Sequence, residues 1–524
     1  MIKIEIRRNT YYDSVTLMII SKEVKKVPGV SDALIGMGTD LNREIAQKLG
    51  LACDGFDTIS ANDFFIAAHC DSEEAFHNAV EETDRLLSKK AERTESKQIY
   101  PTLNSAMRAH PDLNMAVISV PGAYASEVAQ DCLNRGINVM LFSDNVTVEE
   151  ELELKTYAAS KGLLMMGPDC GTAIINQTPL AFANVIRKGN IGLVCASGTG
   201  AQEVSSIISQ LGGGISQLIG TGGRDLSLAI GGIMMQMGLD ALIQDQDTEI
   251  IVLVSKPPAR EIAEQILNQA AGAGKPVVVC FIGGNPEEIT RRGLHAACSL
   301  EDAAHKAVDL ANGRAPKDFT SFTMGIQCAT ELAAKEANRL TAGQIYLRGL
   351  YTGGTLCDES MKILIESLGC IHSNIPLRQE DLLVDARSSP SVAHTFLDFG
   401  DDAFTVGRPH PMIDPSLRAE RLVEEAKDRQ VAVILVDCVI GYGSHPDPAH
   451  DLSAAIMQAK LSAEQEGRYL CVVASVCGTE MDPQNYTETR KKLETAGAIV
   501  MPSNAQAARF ANLVLTQERG RQYE

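Results

Sequence analysis

Two small-residue turns offer the plainest chemistry in this chain. Ser197-Gly198-Thr199-Gly200 follows the apolar run from Ile191 to Cys195 and opens an amphipathic stretch from Ala201 to Leu211. Gly353-Gly354-Thr355 follows a strand-like run from Gln344 to Leu350 and opens a helical pattern from about Leu356 to Leu368. A third turn, Gly220-Thr221-Gly222-Gly223, ends the next apolar run and leads into Arg224. Residues without bulk let a backbone approach a ligand closely. Free amides and the positive end of a helix dipole then favour an anion. The expected ligand is phosphate or an acyl phosphate, held by Ser197, Gly198, Thr199, Gly200, Gly222, Gly223, Gly353, Gly354 and Thr355, with Lys256 and Arg224 as charge partners. Ordinary tight turns between strands and helices of a parallel sheet remain the alternative. For Arg224, so does a salt bridge to Asp225 or another acid.

Other residues suit catalysis or ligation. Gly407-Arg408-Pro409-His410-Pro411 begins a segment dense in proline and charge that runs to Pro415. Arginine matches a planar carboxylate, and histidine titrates near neutrality. Arg408 and His410 are thus read as groups for substrate-carboxylate binding and proton transfer, with a turn set by the two prolines as the alternative. Asp401 and Asp402 could ligate a metal, although solvated turn acids explain them better. Cys170 lacks an adjacent base and is a poor nucleophile. Thirteen cysteines form no C-x-x-C pair, so no ligand-spaced cluster supports zinc.

These residues need a scaffold, and strand–helix alternation supplies one. Residues 1–95 read as a small α/β domain. Its strands lie at Ile2 to Ile6, Val30 to Met37 and Asp63 to His69, its helices at Asp13 to Lys25, Asn42 to Leu49 and from Ser72 to about Lys90. The loop Asn9 to Ser14 precedes the first helix. A polar linker is placed at 91–100. Residues 96–187 form a Rossmann-like domain, 188–313 a flavodoxin-type domain and 326–524 a second one. Segment 313–325 reads as a linker, and Arg291, Arg292 and His295 are placed in a loop. The class is α/β and multidomain, with parallel sheets whose ligands lie beyond the carboxyl ends of the strands.

The totals exclude several roles. At 524 residues the chain exceeds one core. A formal charge of −20 disfavours nucleic acid and anionic membranes as partners. No apolar run approaches the ~20 residues of a membrane span. Cysteines within apolar runs, such as Cys195 and Cys280, read as buried reduced thiols of a cytoplasmic protein.

Several motifs together resemble the FdrA family, which is similar to the succinyl-CoA synthetase (NDP-forming acyl-CoA synthetase) superfamily. They are DSVTLMIIS at Asp13, LFSDNVTVEEE at Leu141, MMGPDCGTAII at Met165, ASGTG at Ala196, GTGGRDLS at Gly220, GLYTGGTLCDE at Gly349 and GRPHPMIDP at Gly407. The resemblance implies a CoA-binding-type domain plus two succinyl-CoA-synthetase-type domains. It implies that the helix starts after Ser197 and Gly353 face each other. It also implies an enzyme subunit, not sufficient alone, that works with partner chains of a hetero-oligomeric complex; a homodimer stays open. The function implied is acyl or carbamoyl transfer through carbamoyl phosphate, like oxamate carbamoyltransferase, in ureide and nitrogen catabolism. An NDP-forming acyl-CoA ligase subunit and a non-catalytic regulator that binds CoA or acyl phosphates are the other readings. No cofactor is certain and CoA stays open as a ligand. The synthetases' phosphorylated histidine would correspond to His295, one residue out of register. Lys256 falls near the place of the glutamate that holds that histidine. No P-loop pattern and no ATP-grasp segment is visible.

Overall fold

Nine consecutive buried residues, Val431–Val439, show what drives this fold: a β-branched run covered on both faces, as in the centre of a parallel sheet. Shorter runs of the same kind build the other inner strands. The computed structural model describes residues 1–522, apart from Asn9, Tyr11, Asp13, Asp54, Gly55, Ala61, Asn62, 95–98, Val406 and Gly407. Among the described residues no helix is long and apolar enough to cross a membrane. The chain makes two compact units, one from Met1–His110 with Phe404–His410, the other from Pro111–Ala403 with Pro411–Glu524.

The first unit holds β1 (Ile2–Arg7), β2 (Val30–Met37) and β3 (Phe64–Cys70) in an antiparallel sheet of order β1-β3-β2. Helices Ser14–Val24, Asp40–Lys48 and Glu73–Thr94 accompany it. The last of these runs into the stretch read as a linker. Ala91, Glu92 and Arg93 are strong helix formers, and that propensity outweighs the missing apolar period. A further short helix, Leu103–Ala109, starts at a capping box of Thr102 and Ser105.

The second unit contains three sheets. The smallest is β4 (Met115–Ile118), β5 (Asn138–Leu141) and β6 (Met165–Met166), all parallel. The largest has seven strands: β7 (Thr172–Ile175), β8 (Thr178–Ala181), β9 (Lys188–Cys195), β10 (Ile215–Gly220), β11 (Ile250–Ser255), β12 (Val277–Phe281) and β13 (His295–Ala296). Their order is β13-β12-β11-β9-β10-β7-β8. The β7–β8 hairpin lies antiparallel at this edge, where strand–helix alternation predicts no hairpin. Its two-residue turn is Asn176-Gln177, both with positive φ, so the turn lacks the glycine that usually marks it. His295 lies on the edge strand β13 rather than in a loop, paired with Val278.

The third sheet is fully parallel, in the order β15-β16-β14-β17-β18-β19. Its strands are β14 (Tyr346–Tyr351), β15 (His372–Ser373), β16 (Thr395–Asp398), β17 (Val431–Val439), β18 (Cys471–Cys477) and β19 (Ile499–Met501). In the two larger sheets, β9 and β14 are the strands from which the chain departs in both directions. Crevices at the carboxyl ends of such strands are where α/β sheets bind ligands.

One apolar core joins these two sheets. It runs from Ala201, Val204 and Ile208 through Leu356, Cys357 and Met361 to Phe510 and Val514. Buried acids lie within it. Glu203 accepts from the Asn504 amide, and Glu359 accepts from the Leu300 amide and the Asn504 side chain. Burial pushes the Glu203 carboxyl up to about 8 and that of Glu301 to about 7, and it raises Glu359 as well. An acid whose folded pKa is raised stabilises the fold when protonated. Its contribution is full below the unfolded pKa and is lost as pH rises through the folded one. The protein is therefore expected to lose stability between about pH 4.5 and about pH 8. Glu203→Gln keeps the hydrogen-bond acceptor and should reduce that slope. Urea unfolding at both ends of the range checks it; an unchanged slope in the variant refutes the assignment to Glu203.

Candidate functional site

The two glycine turns meet. The helix Gly198–Gln210 leaves β9 and the helix Gly354–Leu368 leaves β14. Their starts touch: Ser197, the cap of the first helix, and Thr355, in the first turn of the second, share a hydrogen bond of 2.6 Å between Oγ and Oγ1. Ser197 also caps its own helix, since Oγ accepts from the Gly200 amide at 2.9 Å. The approach is too close for side chains. A Cβ at Gly353 would stand 2.9 Å from Thr199 Cβ, Cγ2 and Oγ1, and one at Gly354 would stand 2.3 Å from Asp398 Oδ2.

Two carboxylates hold the second turn. Asp437, buried within β17, accepts from the amides of Thr352 and Gly353 and from Thr352 Oγ1, each at 2.9 Å. Arg418, also buried, pairs with the same carboxylate. Asp398 ends β16 beside Gly354 and accepts from the Gly400 amide. Burial pushes its carboxyl up to about 7, against the opposing pull of the Gly400 amide and of Lys256. The charge of the exposed Lys256 is also felt at Cys357, in the first turn of the 354–368 helix. Among the described residues, no hydrogen bond engages the amides of Gly198, Thr199, Gly354 or Thr355, whereas that of Gly353 is committed to Asp437. The arrangement can hold an anion at those four amides with Lys256 nearby, and Asp398 can exchange a proton near neutral pH.

Three segments match family models: a CoA binding domain at 186–284, a CoA-ligase domain at 350–514, and "AllF, heavy metal-associated domain" at 1–101. The paired turns thus lie one in each CoA-related segment. The uncharacterized protein YahF of Escherichia coli (strain K12) is 45% identical over 510 residues, covering 97% of this chain and 98% of YahF. The chain belongs to the YahF family. Subunit alpha 2 of the ADP-forming succinate–CoA ligase of Archaeoglobus fulgidus is 27% identical over 231 residues, 42% of this chain and 77% of the subunit. The ADP-forming sulfoacetate–CoA ligase subunit SauD of Bilophila wadsworthia is 26% identical over 208 residues, 38% of this chain and 68% of SauD. Among solved structures, a dinucleotide-forming acetyl-coenzyme A synthetase of Ca. Korarchaeum cryptofilum is similar over 82% of this chain and 87% of its own, with 18% identity and a TM-score of 0.34. This YahF-family chain carries a CoA binding domain and a CoA-ligase domain in one polypeptide, with succinate–CoA ligase alpha subunits among its relatives, within a mixed α/β multidomain fold.

Other sequence-derived residues lie elsewhere or are otherwise engaged. Arg224 forms an ion pair with Glu151 at 2.9 Å and donates to the Val146 carbonyl, so the salt-bridge alternative holds for it, with Glu151 rather than Asp225 as partner. Asp225 instead binds buried Lys155 and caps the helix Ile233–Gln244. Gly222, at positive φ, packs against the Pro168 carbonyl, where a Cβ would come within 2.4 Å; Gly223 is open to solvent. Both glycines serve the turn that positions Asp225.

Arg408 and His410 belong to the first unit, not to the unit that carries Ser197 and Thr355. Arg408 is exposed, and burial pushes the His410 imidazole down to about 4, leaving it neutral at pH 7. Gly407 of their motif lies outside the described residues, as do Asn9, Tyr11 and Asp13 of the first loop. His295 is half-buried beside Lys306; burial first, then that charge, lowers its pKa. Among the described residues no hydrogen bond ties it to the paired turns. The Cys170 thiol is pushed up to about 12 by burial and is no nucleophile at neutral pH.

Asp398 and Asp437 escaped the sequence reading because each sits inside an apolar run, LDF and VDC, where nothing flags a catalytic acid. Two substitutions test the construction. Asp437→Ala strands the buried Arg418 and unties the 352–353 turn, so thermal or chemical unfolding should show a loss of about 3–5 kcal/mol. Gly353→Ala must drive the two helix starts apart and should cut sulfate affinity, measured calorimetrically, by at least about tenfold, equivalent to 1.4 kcal/mol. Sulfate keeps its charge across neutral pH. Its binding to the unaltered protein should weaken as pH rises through about 7 and Asp398 ionises, while Asp398→Asn should bind sulfate without that dependence.

Proposed function

We propose that this chain is an acyl-CoA-ligase-type subunit that moves an acyl group between phosphate and a thiol at the paired helix starts. The observation that carries the reading is the 2.6 Å contact between Ser197 and Thr355. It brings together free amides from the CoA-binding and CoA-ligase segments. Two helix ends over one anion stabilise charge as it develops on a leaving phosphate. In the direction of thioester synthesis, the thiol sulfur attacks the carbonyl carbon of an acyl phosphate. The bond from that carbon to the bridging oxygen breaks, and phosphate leaves onto the amides of Gly198, Thr199, Gly354 and Thr355. The thiol proton passes to Asp398, whose carboxyl titrates near 7. Lys256 offsets the phosphate charge. CoA is the thiol substrate that the two domain types imply.

A finer reading follows from the first 101 residues, whose family model is named for AllF. A chain without a phosphohistidine relay can still exchange an acyl group with phosphate directly. FdrA-type carbamoyl transfer, as in an oxamate carbamoyltransferase, is such a reaction. It would yield carbamoyl phosphate from an N-carbamoyl compound, together with partner subunits.

Full-length protein, alone and with the chains that co-purify with it, is incubated with succinyl-CoA and phosphate. Thiol release is followed colorimetrically, and acyl phosphate is trapped as the hydroxamate. The ligase reading expects phosphate-dependent thiol release that falls at least about tenfold in Gly353→Ala, or 1.4 kcal/mol at the transition state. Carbamoyl phosphate formed from an N-carbamoyl compound, without thiol release, would favour the finer reading. If phosphate supports neither reaction in any combination, both are wrong.

A further inference from the structure

A second cluster of reactive side chains lies past the far end of the 354–368 helix. That helix of 15 residues spans about 22 Å, so the cluster is remote from the paired turns. Cys370 follows the helix, His372 opens β15, and Asp381 closes the short 3-10 turn Gln379–Asp381. Their ligand atoms all lie within 4.8 Å of one another. Cys370 Sγ is 3.5 Å from His372 Nε2 and donates to Asp381 Oδ1 at 2.9 Å.

Asp381 supplies an independent sign of a missing ligand. The residue is only 6% exposed, and its Oδ2 is buried with no hydrogen-bond partner. A carboxylate oxygen in that position is costly unless something binds it. Cys370 is exposed and His372 half-buried, so the cluster opens to solvent on one side. Arg378 and Glu380 are the other charged groups felt at Cys370, and their charges oppose each other.

The spacing fits one kind of guest. Zinc bonds of about 2.3 Å to sulfur and about 2.0–2.1 Å to nitrogen or oxygen, in tetrahedral geometry, separate the ligand atoms by roughly 3.3–3.7 Å. The sulfur–nitrogen distance already lies in that range, and the sulfur–oxygen pair must open by less than about 1 Å to reach it. Thiolate, imidazole and carboxylate together select a borderline-soft divalent ion over magnesium or calcium.

We propose that Cys370, His372 and Asp381 form a divalent transition-metal site, of zinc type, with a fourth coordination position open to water. Binding replaces the Cys370 Sγ–H bond with an Sγ–metal bond, and the thiol proton leaves to solvent. The metal also binds the carboxylate that the thiol had shared. It ties the end of the 354–368 helix to β15 and to the 379–381 turn, on the edge of the third sheet.

The test uses the full chain stripped of metal and titrated with cobalt(II). One equivalent should produce a thiolate-to-cobalt charge-transfer band and visible bands of tetrahedral intensity, with release of about one proton per metal. Zinc should displace the cobalt. Cys370→Ser should abolish the charge-transfer band, and Asp381→Asn and His372→Gln should each weaken cobalt binding at least about tenfold. Cys298→Ser/Cys328→Ser, which removes the other exposed thiols, should leave the spectrum unchanged. The proposal is overturned if no stoichiometric band forms, if the band survives Cys370→Ser, if Asp381→Asn or His372→Gln binds as the unaltered chain does, or if the double variant loses it.

Discussion

One buried carboxylate decides where the second glycine turn can be. Asp437 points from the middle of an otherwise apolar strand and binds two successive amides, a hydroxyl and the Arg418 guanidinium. An acid this deep is tolerated only because every lone pair meets a donor. The return is positional. Thr352 and Gly353 are fastened to β17, so the 354–368 helix starts at a set height above its sheet. The Ser197–Thr355 contact, the exclusion of side chains at Gly353 and Gly354, and the free amides beyond all inherit that placement.

The same economy appears in the shared core. A ligand held between two helix ends needs both ends to stay put while it binds and leaves. The apolar continuity from Ala201 to Leu356 and Phe510 provides that rigidity, since packed interiors transmit displacement rather than absorb it. Glu203, Glu359 and Asn504 add a buried polar link between the two lobes. Two shapes of interaction are thus combined: a nonspecific apolar seam that holds the lobes together, and a few satisfied polar groups that set their register.

Charge is arranged with similar division. The positive helix end at Gly354 already has two acids beside it, Asp398 and Asp437. One is fully engaged in hydrogen bonds and fixes structure. The other is raised to about 7 and can give up or accept a proton. An arriving anion therefore meets a site whose negative charge depends on protonation, with Lys256 as the local counter-charge. Arg224, by contrast, is drawn off by Glu151, whose Oε1 pairs with Lys155 and whose Oε2 is left to the arginine.

The amino-acid sequence by itself determined the alternation of strands and helices, the positions of both glycine turns and the α/β class. Those follow from local physics: apolar periodicity, glycine where backbones crowd, and caps at helix starts. It also marked Ser197 and Thr355 as helix-start residues. Only the tertiary structure decided which charges meet them. Asp398 and Asp437 were silent because an acid within an apolar strand carries no local signature; its meaning comes from the loop folded over it. Cys370, His372 and Asp381 share no recognised ligand spacing, and they converge only because β15 and the 379–381 turn return to the end of one helix. Arg224 and Arg408 read alike as anion-binding arginines, yet the fold gives the first a carboxylate partner and places the second in the other unit. Side-chain chemistry is local and legible, whereas partnership is a long-range property that burial and chain reversal create.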